Sequence, residues 1–335
     1  MSDTLTTRAV TLAIVIEGVP VPGAERLELL QCGHFAANRF RVLLATNAMQ
    51  GGAAFYAGLQ SGMVTIGIGL GAAAIPCTSD GVILTGQIDN VAVDFGAGQV
   101  VLSGRDLSAR LIDAEVEQTF SNQTASQIAQ SFASDAGLSA NVTATKTPVG
   151  QYYELAHVRT GLGLHTRHVT RWDLLAALAE IEQFSLSVTG TTVNFGPVAQ
   201  AAPVLLNFGQ DLVSLAIDRA LGLMAPKVTV KSWNPKLKQV FSKSTGSIGG
   251  VTLVRPNLTQ AEVDRLVAAR QTELATLAVL VRAAMPGELS LRPDSAILLQ
   301  GTGTDMDGRY VIRTIERFVD MRDGFTQHFE AVQVV

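Results

Sequence analysis

The sequence predicts a β-rich α+β fold: two β-barrel modules with a small α+β domain inserted between them. Three observations carry this reading. Short strand-like runs separated by turn residues fill residues 1–105. The apolar period then changes from two to about 3.6. Strand character returns towards the C-terminus, in phrases that echo the first block.

In the first block Arg8–Glu17 is strand-like and ends in the Gly18–Gly23 turn with Pro20 and Pro22. Glu25–Gln31, Arg39–Ala45, Val64–Ile68, Gly81–Thr85, Gln87–Phe95 and Val100–Gly104 follow as further strands. That spacing suits an antiparallel meander closing into a barrel or sandwich. A helix is expected over Thr124–Ala136, with Ala125, Ile128, Ala129, Phe132 and Ala136 on one face. Ser121 or Asn122 would cap it and Gly137 would end it. A second helix is expected over Arg171–Phe184, with Thr170 and Asp173 as a capping-box variant. Ser185–Val188 and Thr192–Phe195 read as a hairpin about Gly190. Leu212–Ile217 and Lys227–Trp233 read as strands. A third helix is expected over Gln260–Ala284 behind a Thr259/Glu262 capping box, with Val263, Leu266, Val267, Leu274, Leu277 and Val281 as its stripe. Ala296–Gln300, Arg309–Phe318 and Gly324–Val334 close the chain as strands.

A weak internal repeat sets Gly86–Phe95 against Gly308–Phe318, and Glu25–Thr46 against Leu212–Trp233. The domain division that follows is 1–105 for the first β module, 106–206 for the α+β domain, 207–232 with 286–335 for the second β module, and 233–285 for an insertion bearing the long helix.

Composition narrows the function. Of 335 residues, 16% are charged, against roughly 25% in an ordinary domain. Hydrophobic residues make up 47%, which excludes disorder. The net charge of −4 and the few aromatics give no support to sequence-specific nucleic-acid binding. No charge occurs between Val42 and Ser79, yet the glycines and polar residues there leave no apolar run long enough for a membrane span. Met1–Arg8 has no signal-peptide pattern, so synthesis in the host cytoplasm is expected. Cys32 and Cys77 are too few for a disulfide framework or zinc knuckle and read as buried free thiols.

No motif commits to catalysis. Gly67-Ile-Gly69-Leu-Gly71 resembles a dinucleotide loop, but Pro76 and the Thr78–Gly81 turn forbid the helix it needs. Glycines that allow bulges and curvature are the better account. His157, His165 and His168 lie close together near Glu154 and are the candidate metal ligands, without an HExxH spacing. Surface or interface histidines are the stronger reading of that loop. Asp305-Met-Asp307-Gly308 has two acids of a calcium loop but not the rest, and reads as a turn before a strand. No GxSxG elbow is present. Cofactors and catalytic residues are therefore expected to be none.

Several ordered phrases resemble phage tail baseplate hub proteins of the late-control-gene-D type, related to the head domain of VgrG-type spikes. They are Leu84-Thr-Gly-Gln-Ile-Asp89 with Val101-Leu-Ser-Gly-Arg-Asp-Leu-Ser-Ala-Arg-Leu-Ile-Asp113; Asn122-Gln-Thr-Ala-Ser-Gln-Ile-Ala129 leading to Gly137-Leu138; and Trp172-Asp-Leu-Leu-Ala-Ala-Leu-Ala179 with Phe195-Gly-Pro197. Val228-Thr-Val-Lys-Ser-Trp-Asn-Pro235 follows, then Leu298-Leu-Gln-Gly301 with Asp307-Gly-Arg-Tyr-Val-Ile312 and Gly324-Phe-Thr-Gln327. The resemblance covers residues 80–330. It implies that the β modules are tail-tube-like and that the protein is a virion structural component of the tail baseplate. It implies a homotrimer whose six modules join a sixfold tail tube, or its initiator protein, to a threefold central spike protein, with baseplate wedge proteins around it. The alternatives are a tail-associated peptidoglycan hydrolase, or the equivalent subunit of a secretion system, gene-transfer particle or tail-like bacteriocin.

Overall fold

The computed structural model describes residues 10–33, 35–60, 62–71, 81–116, 120, 123–146, 148–149, 170–198, 202–221, 226–234, 237–256 and 258–334. The first β module comprises β1 (Val10–Ile16), β2 (Val19–Val21), β3 (Ala24–Cys32), β4 (Arg39–Ala45), a short helix α1 (Ala53–Ala57), β5 (Met63–Leu70), β6 (Val82–Asp94) and β7 (Gln99–Asp106). Their order in the sheet is β2-β1-β5-β6-β7-β4-β3, antiparallel at every step. Alternate residues of the long strands, among them Ile14, Leu27, Leu29, Val42, Leu44, Ile66 and Leu102, enter one core. Strands that all turn one face to a single core must curl around it, and β1 returns against β3.

Residues read from sequence as two strands, Gly81–Thr85 and Gln87–Phe95, form the single strand β6. Gly86 is not a turn there. A Cβ on Gly86 would lie 2.3 Å from the Arg105 carbonyl oxygen, and one on Gly104 would lie 2.0 Å from the Gln87 carbonyl oxygen. The two glycines let β6 and β7 approach closely, just before a bulge between Ile88 and Asn90 bends the hairpin. The register of β5 against β6 also shifts between Ile66 and Gly67, at the start of the Gly67/Gly69/Gly71 run.

The α+β unit comprises α2 (Ala109–Ile112), β8 (Gln123–Thr124), α3 (Ala125–Asp135), β9 (Ser139–Val142), β10 (Pro148–Val149), α4 (Arg171–Glu182), β11 (Ser185–Thr189) and β12 (Thr192–Gly196). Its core joins Ile128 and Phe132 of α3 to Trp172 and Leu175 of α4 and to Val193 and Phe195 of β12. The N-cap of α3 is Thr124, not Ser121 or Asn122, which lie outside the described residues. Thr124 accepts from the Gln127 amide and the Gln127 side chain accepts from the Thr124 amide, a complete capping box. Thr170 caps α4 by accepting from the Asp173 amide. The Trp172 indole N–H donates to the Phe35 carbonyl at 2.7 Å, which fastens this unit to the β3–β4 connection.

The remainder comprises β13 (Val204–Asn207), β14 (Ser214–Arg219), β15 (Pro226–Asn234), β16 (Gln239–Thr245), β17 (Ile248–Val254), α5 (Gln260–Thr276), β18 (Val279–Pro286), β19 (Ala296–Gln300), β20 (Gly308–Asp320) and β21 (Gly324–Gln333). Here the structure corrects two expectations. The third helix stops at Thr276 rather than Ala284, because the apolar period falls to two. Val279, Val281, Ala283 and Met285 are buried and alternate with less buried residues. Thr276 Oγ1 also donates to the Glu273 carbonyl at the helix end. Second, Lys227–Trp233 is not the neighbour of the Leu212–Ile217 strand. It belongs to β15, at the centre of a separate sheet β16-β15-β17, where Val228 and Val230 pack on Val263 and Val267 of α5. The neighbour of β14 is β18.

With that strand exchanged, the internal repeat extends over five strands. The second module has the order β13-β19-β20-β21-β18-β14. Strands β3, β4, β5, β6 and β7 of the first module correspond to β14, β18, β19, β20 and β21, with the same chain order, neighbours and antiparallel directions. Both long strands carry a bulge, after Ile88 in β6 and after Ile312 in β20. Superposing the bulges matches Asn90, which faces Ser103, with Thr314, which faces Glu330. The next pairs then agree without a gap: Leu102 faces Val42 as Phe329 faces Ala283, and Val42 faces Leu27 as Ala283 faces Leu215. Gly308 matches Leu84, so the repeat read from sequence was two residues out of register at Gly86.

A single seam joins the modules. The flank of β3 that β4 leaves free pairs antiparallel with β20, from Thr314 opposite Cys32 to Asp320 opposite Arg26. The two modules are thereby one 13-stranded sheet. Arg317 sits in this seam, opposite Leu29, with no exposed surface. Its guanidinium donates to the Leu291 carbonyl and to Gln327 Oε1. Burial lowers its pKa to about 10.

Three substitutions test this packing. Gly104→Ala forces its Cβ onto backbone and is expected to destabilise the protein by about 2–3 kcal/mol, whereas Gly250→Ala, whose Cβ meets open space, is expected to stay within ~0.5 kcal/mol, both read by denaturant unfolding. Arg317→Ala empties the seam and orphans the Leu291 carbonyl; a loss of about 2–4 kcal/mol is expected in the same assay.

Candidate assembly surface

The chemistry-bearing residues expected from sequence do not assemble among the described residues. His157, His165, His168, Glu154 and Cys77 lie outside them. Within them, no group of three His, Cys, Asp or Glu side chains is placed to hold a metal ion. Cys32 is half-buried, and burial pushes its thiol pKa up, away from reactivity. Asp307 accepts from the amide and hydroxyl of Thr302, which lowers its pKa and closes the turn ahead of β20. Asp305 pairs with Arg219 at 3.2 Å. Asp106 is buried and accepts from the Asn38 and Ser108 amides and the Ser108 hydroxyl; burial nonetheless raises its pKa. It fastens the start of the α+β unit to the end of β7.

What the structure does expose is strand edge. β6 is paired with β5 only as far as Gln87, opposite Met63. Beyond the bulge, Asn90–Asp94 keeps β7 on one flank and, among the described residues, has no strand on the other. A groove of about 540 Å³ runs along this free flank, walled by Tyr56 and Leu59 on one side and by Val91, Val93 and Phe95 on the other. Phe95 is 75% exposed. At one end of the sheet β14 pairs, among the described residues, with β18 alone, so its outer flank carries no described strand. Val213, just before it, is 77% exposed. Unpaired strand edges with apolar side chains template pairing with another chain.

Several charges beside both edges are already matched within the chain, while Asp94 accepts from the Ala97 amide. Arg105 clamps Asp89 at 2.7 Å and Asp113 at 2.9 Å, and these carboxylates hold the guanidinium firmly protonated. Arg282 bridges Asp218 of β14 and Glu330 of β21. What remains for a partner at each edge is mainly backbone and apolar surface. The sequence carried one signal of this, the period-two run Val91, Val93, Phe95 at the end of a hairpin. Its exposure could not be known without the sheet order.

No helix among the described residues is long and apolar enough to cross a membrane. No curated protein matches the chain. Solved structures with the same fold include the 43 kDa tail protein of prophage MuSo2 from Shewanella oneidensis, at 17% identity and TM-score 0.74, covering 97% of this chain and 98% of that one. A tail protein from Neisseria meningitidis MC58 aligns at 12% identity and TM-score 0.74, covering 97% of each chain. The E. coli c3393 protein, a component of the type VI secretion system, aligns at 11% identity and TM-score 0.60 over 96% of this chain and 77% of its own. The architecture of two tail-tube-like β modules and an inserted α+β unit is thus the fold of phage tail and VgrG-related proteins. A family model of the Alg8 N-terminal domain matches residues 78–285, and by that match over more than half its length the chain belongs to the Alg8 N-terminal domain family.

Proposed function

We propose that this protein is a structural, non-enzymatic hub of a phage tail or tail-like particle. Three copies form a ring of six similar modules, which joins a sixfold tail tube to a threefold central spike. The observation that carries this reading is the repeat: one chain holds two sheets of the same strand order, fused edge to edge. Three such chains present six near-equivalent units under threefold symmetry, and closed cyclic symmetry limits the assembly. The fold shared with tail proteins over nearly the whole chain supports the same reading.

On this reading the second module is drawn from residues 202–221 and 278–334, and the β15–α5 unit is an insertion on its outer side. The partners are the tube or its initiator, the spike and the baseplate wedges, and the protein resides in the virion baseplate. The likeness to a type VI secretion component keeps the equivalent subunit of a secretion system as a second reading of the same ring. Gene neighbourhood separates the two, since a secretion locus lacks capsid genes.

Native mass spectrometry of the purified chain at micromolar concentration tests the ring. The expected result is a homotrimer, seen as a three-lobed ring with a central channel by negative-stain microscopy. A monomer at all concentrations, in the presence or absence of tube protein, contradicts it.

A further inference from the structure

The internal repeat matches five strands of each module but not all their contacts. In the second module the distal half of the long strand β20 is covered by β3, the first strand of the other module. In the first module the distal half of β6 is the counterpart of that surface; α1 lies beside it, but among the described residues it carries no strand. The counterpart of β3 is β14, whose outer flank carries no strand among the described residues either. Each chain therefore makes one seam and keeps both halves of a second, equivalent one, on β14 at the end of its sheet and on the distal half of β6.

We infer that β14 of one copy adds antiparallel to the Asn90–Phe95 segment of the next copy, in the groove beside Tyr56 and Leu59. This inference rests on the proposed ring and names the contact that closes it. The register follows from the matched pairs with no free choice. Thr314 opposite Cys32 becomes Asn90 opposite Ala220. Arg317 opposite Leu29 becomes Val93 opposite Ile217, and Val319 opposite Leu27 becomes Phe95 opposite Leu215.

The side chains agree with that register. Leu27, Leu29, Ile315 and Val319 have no exposed surface in the internal seam. Their counterparts Leu215, Ile217 and Val91 are only half-buried in the single chain, and Phe95 is 75% exposed. These are the apolar residues on the facing sides of the two edges, and a one-residue slip would turn them to the wrong face. The buried Arg317 is replaced by Val93, so the second seam needs no buried cation. Main-chain bonding would supply the affinity and the alternate side chains the register, as in strand addition generally. Because the two edges differ, the contact is head-to-tail, and it closes only as a ring.

Disulfide trapping tests the register. In a Cys32→Ser, Cys77→Ser background, Val93→Cys is combined with Ile217→Cys. A second variant combines Ala92→Cys with Asp218→Cys. Neighbouring antiparallel pairs alternate between wide and narrow sites, so one of the two is spaced for a disulfide. A third, off-register control combines Val93→Cys with Ser214→Cys. The expected result on mild oxidation is covalent dimer and trimer in at least one in-register variant, with at least tenfold less in the control. Trimers by native mass spectrometry that give no in-register cross-link overturn this seam while leaving the ring in place. Monomers throughout overturn both.

Discussion

The structure depends on one backbone seam, the antiparallel pairing of β3 with β20. Without it the chain would be two small curled sheets, each with exposed edges on a shared apolar face. With it, Val319 joins Leu27 and Leu29 in the first core while Ile315 stays in the second, and both cores pack on a single sheet. The seam also explains a costly residue. Arg317 is taken wholly out of water and held by a carbonyl and an amide oxygen rather than by a carboxylate salt bridge. Burying a cation is costly, and its donors are only partly used: Nε and Nη2 are hydrogen-bonded, while Nη1 has no partner among the described residues. Here they tie β20 to the Glu288–Leu291 segment as well as to β21.

The same seam gives meaning to the low charge of the chain. An isolated domain with 16% charged residues and a long uncharged stretch is poorly suited to a fully wetted surface. The stretch from Val42 onward supplies β4, α1 and β5, and with them the wall of the groove beside β6. Among its described residues, Val42, Leu44, Val64, Ile66 and Ile68 fill the first core, and Tyr56 and Leu59 wall that groove. The ion pairs at both edges are internal to the chain, so a partner would meet little net charge there. Such an edge is read by backbone and apolar packing, which suits a permanent assembly better than a transient encounter.

Much of this was legible in the sequence, and the gaps have physical causes. The caps of α4 and α5 were visible because Thr170/Asp173 and Thr259/Glu262 act within one turn. The β-rich class, the α+β unit and the existence of a repeat were visible in period and order. Local reading failed where tertiary contact decides. Gly86 looks like a turn, yet it is needed mid-strand because the Arg105 carbonyl leaves no room for a side chain. The end of α5 runs into β18 through Ala and Val residues that suit both periods, and only the neighbouring β14 and β21 select the strand. The neighbour of β14 is misread from sequence because residues 220–278 separate it from its true partner β18. The open edge itself has no sequence signature, since whether a strand is paired depends on residues far away in the chain.

The central claim is that the free flank of β6 is a seam waiting for its second strand. Amide hydrogen exchange of the assembled protein, compared with an Ile217→Asp variant held monomeric, measures this directly. The account predicts slowed exchange confined to Asn90–Phe95 and Ser214–Arg219 in the assembly, with β3 and β20 equally protected in both. Exchange at those two edges that is as fast in the assembly as in the monomer would contradict it.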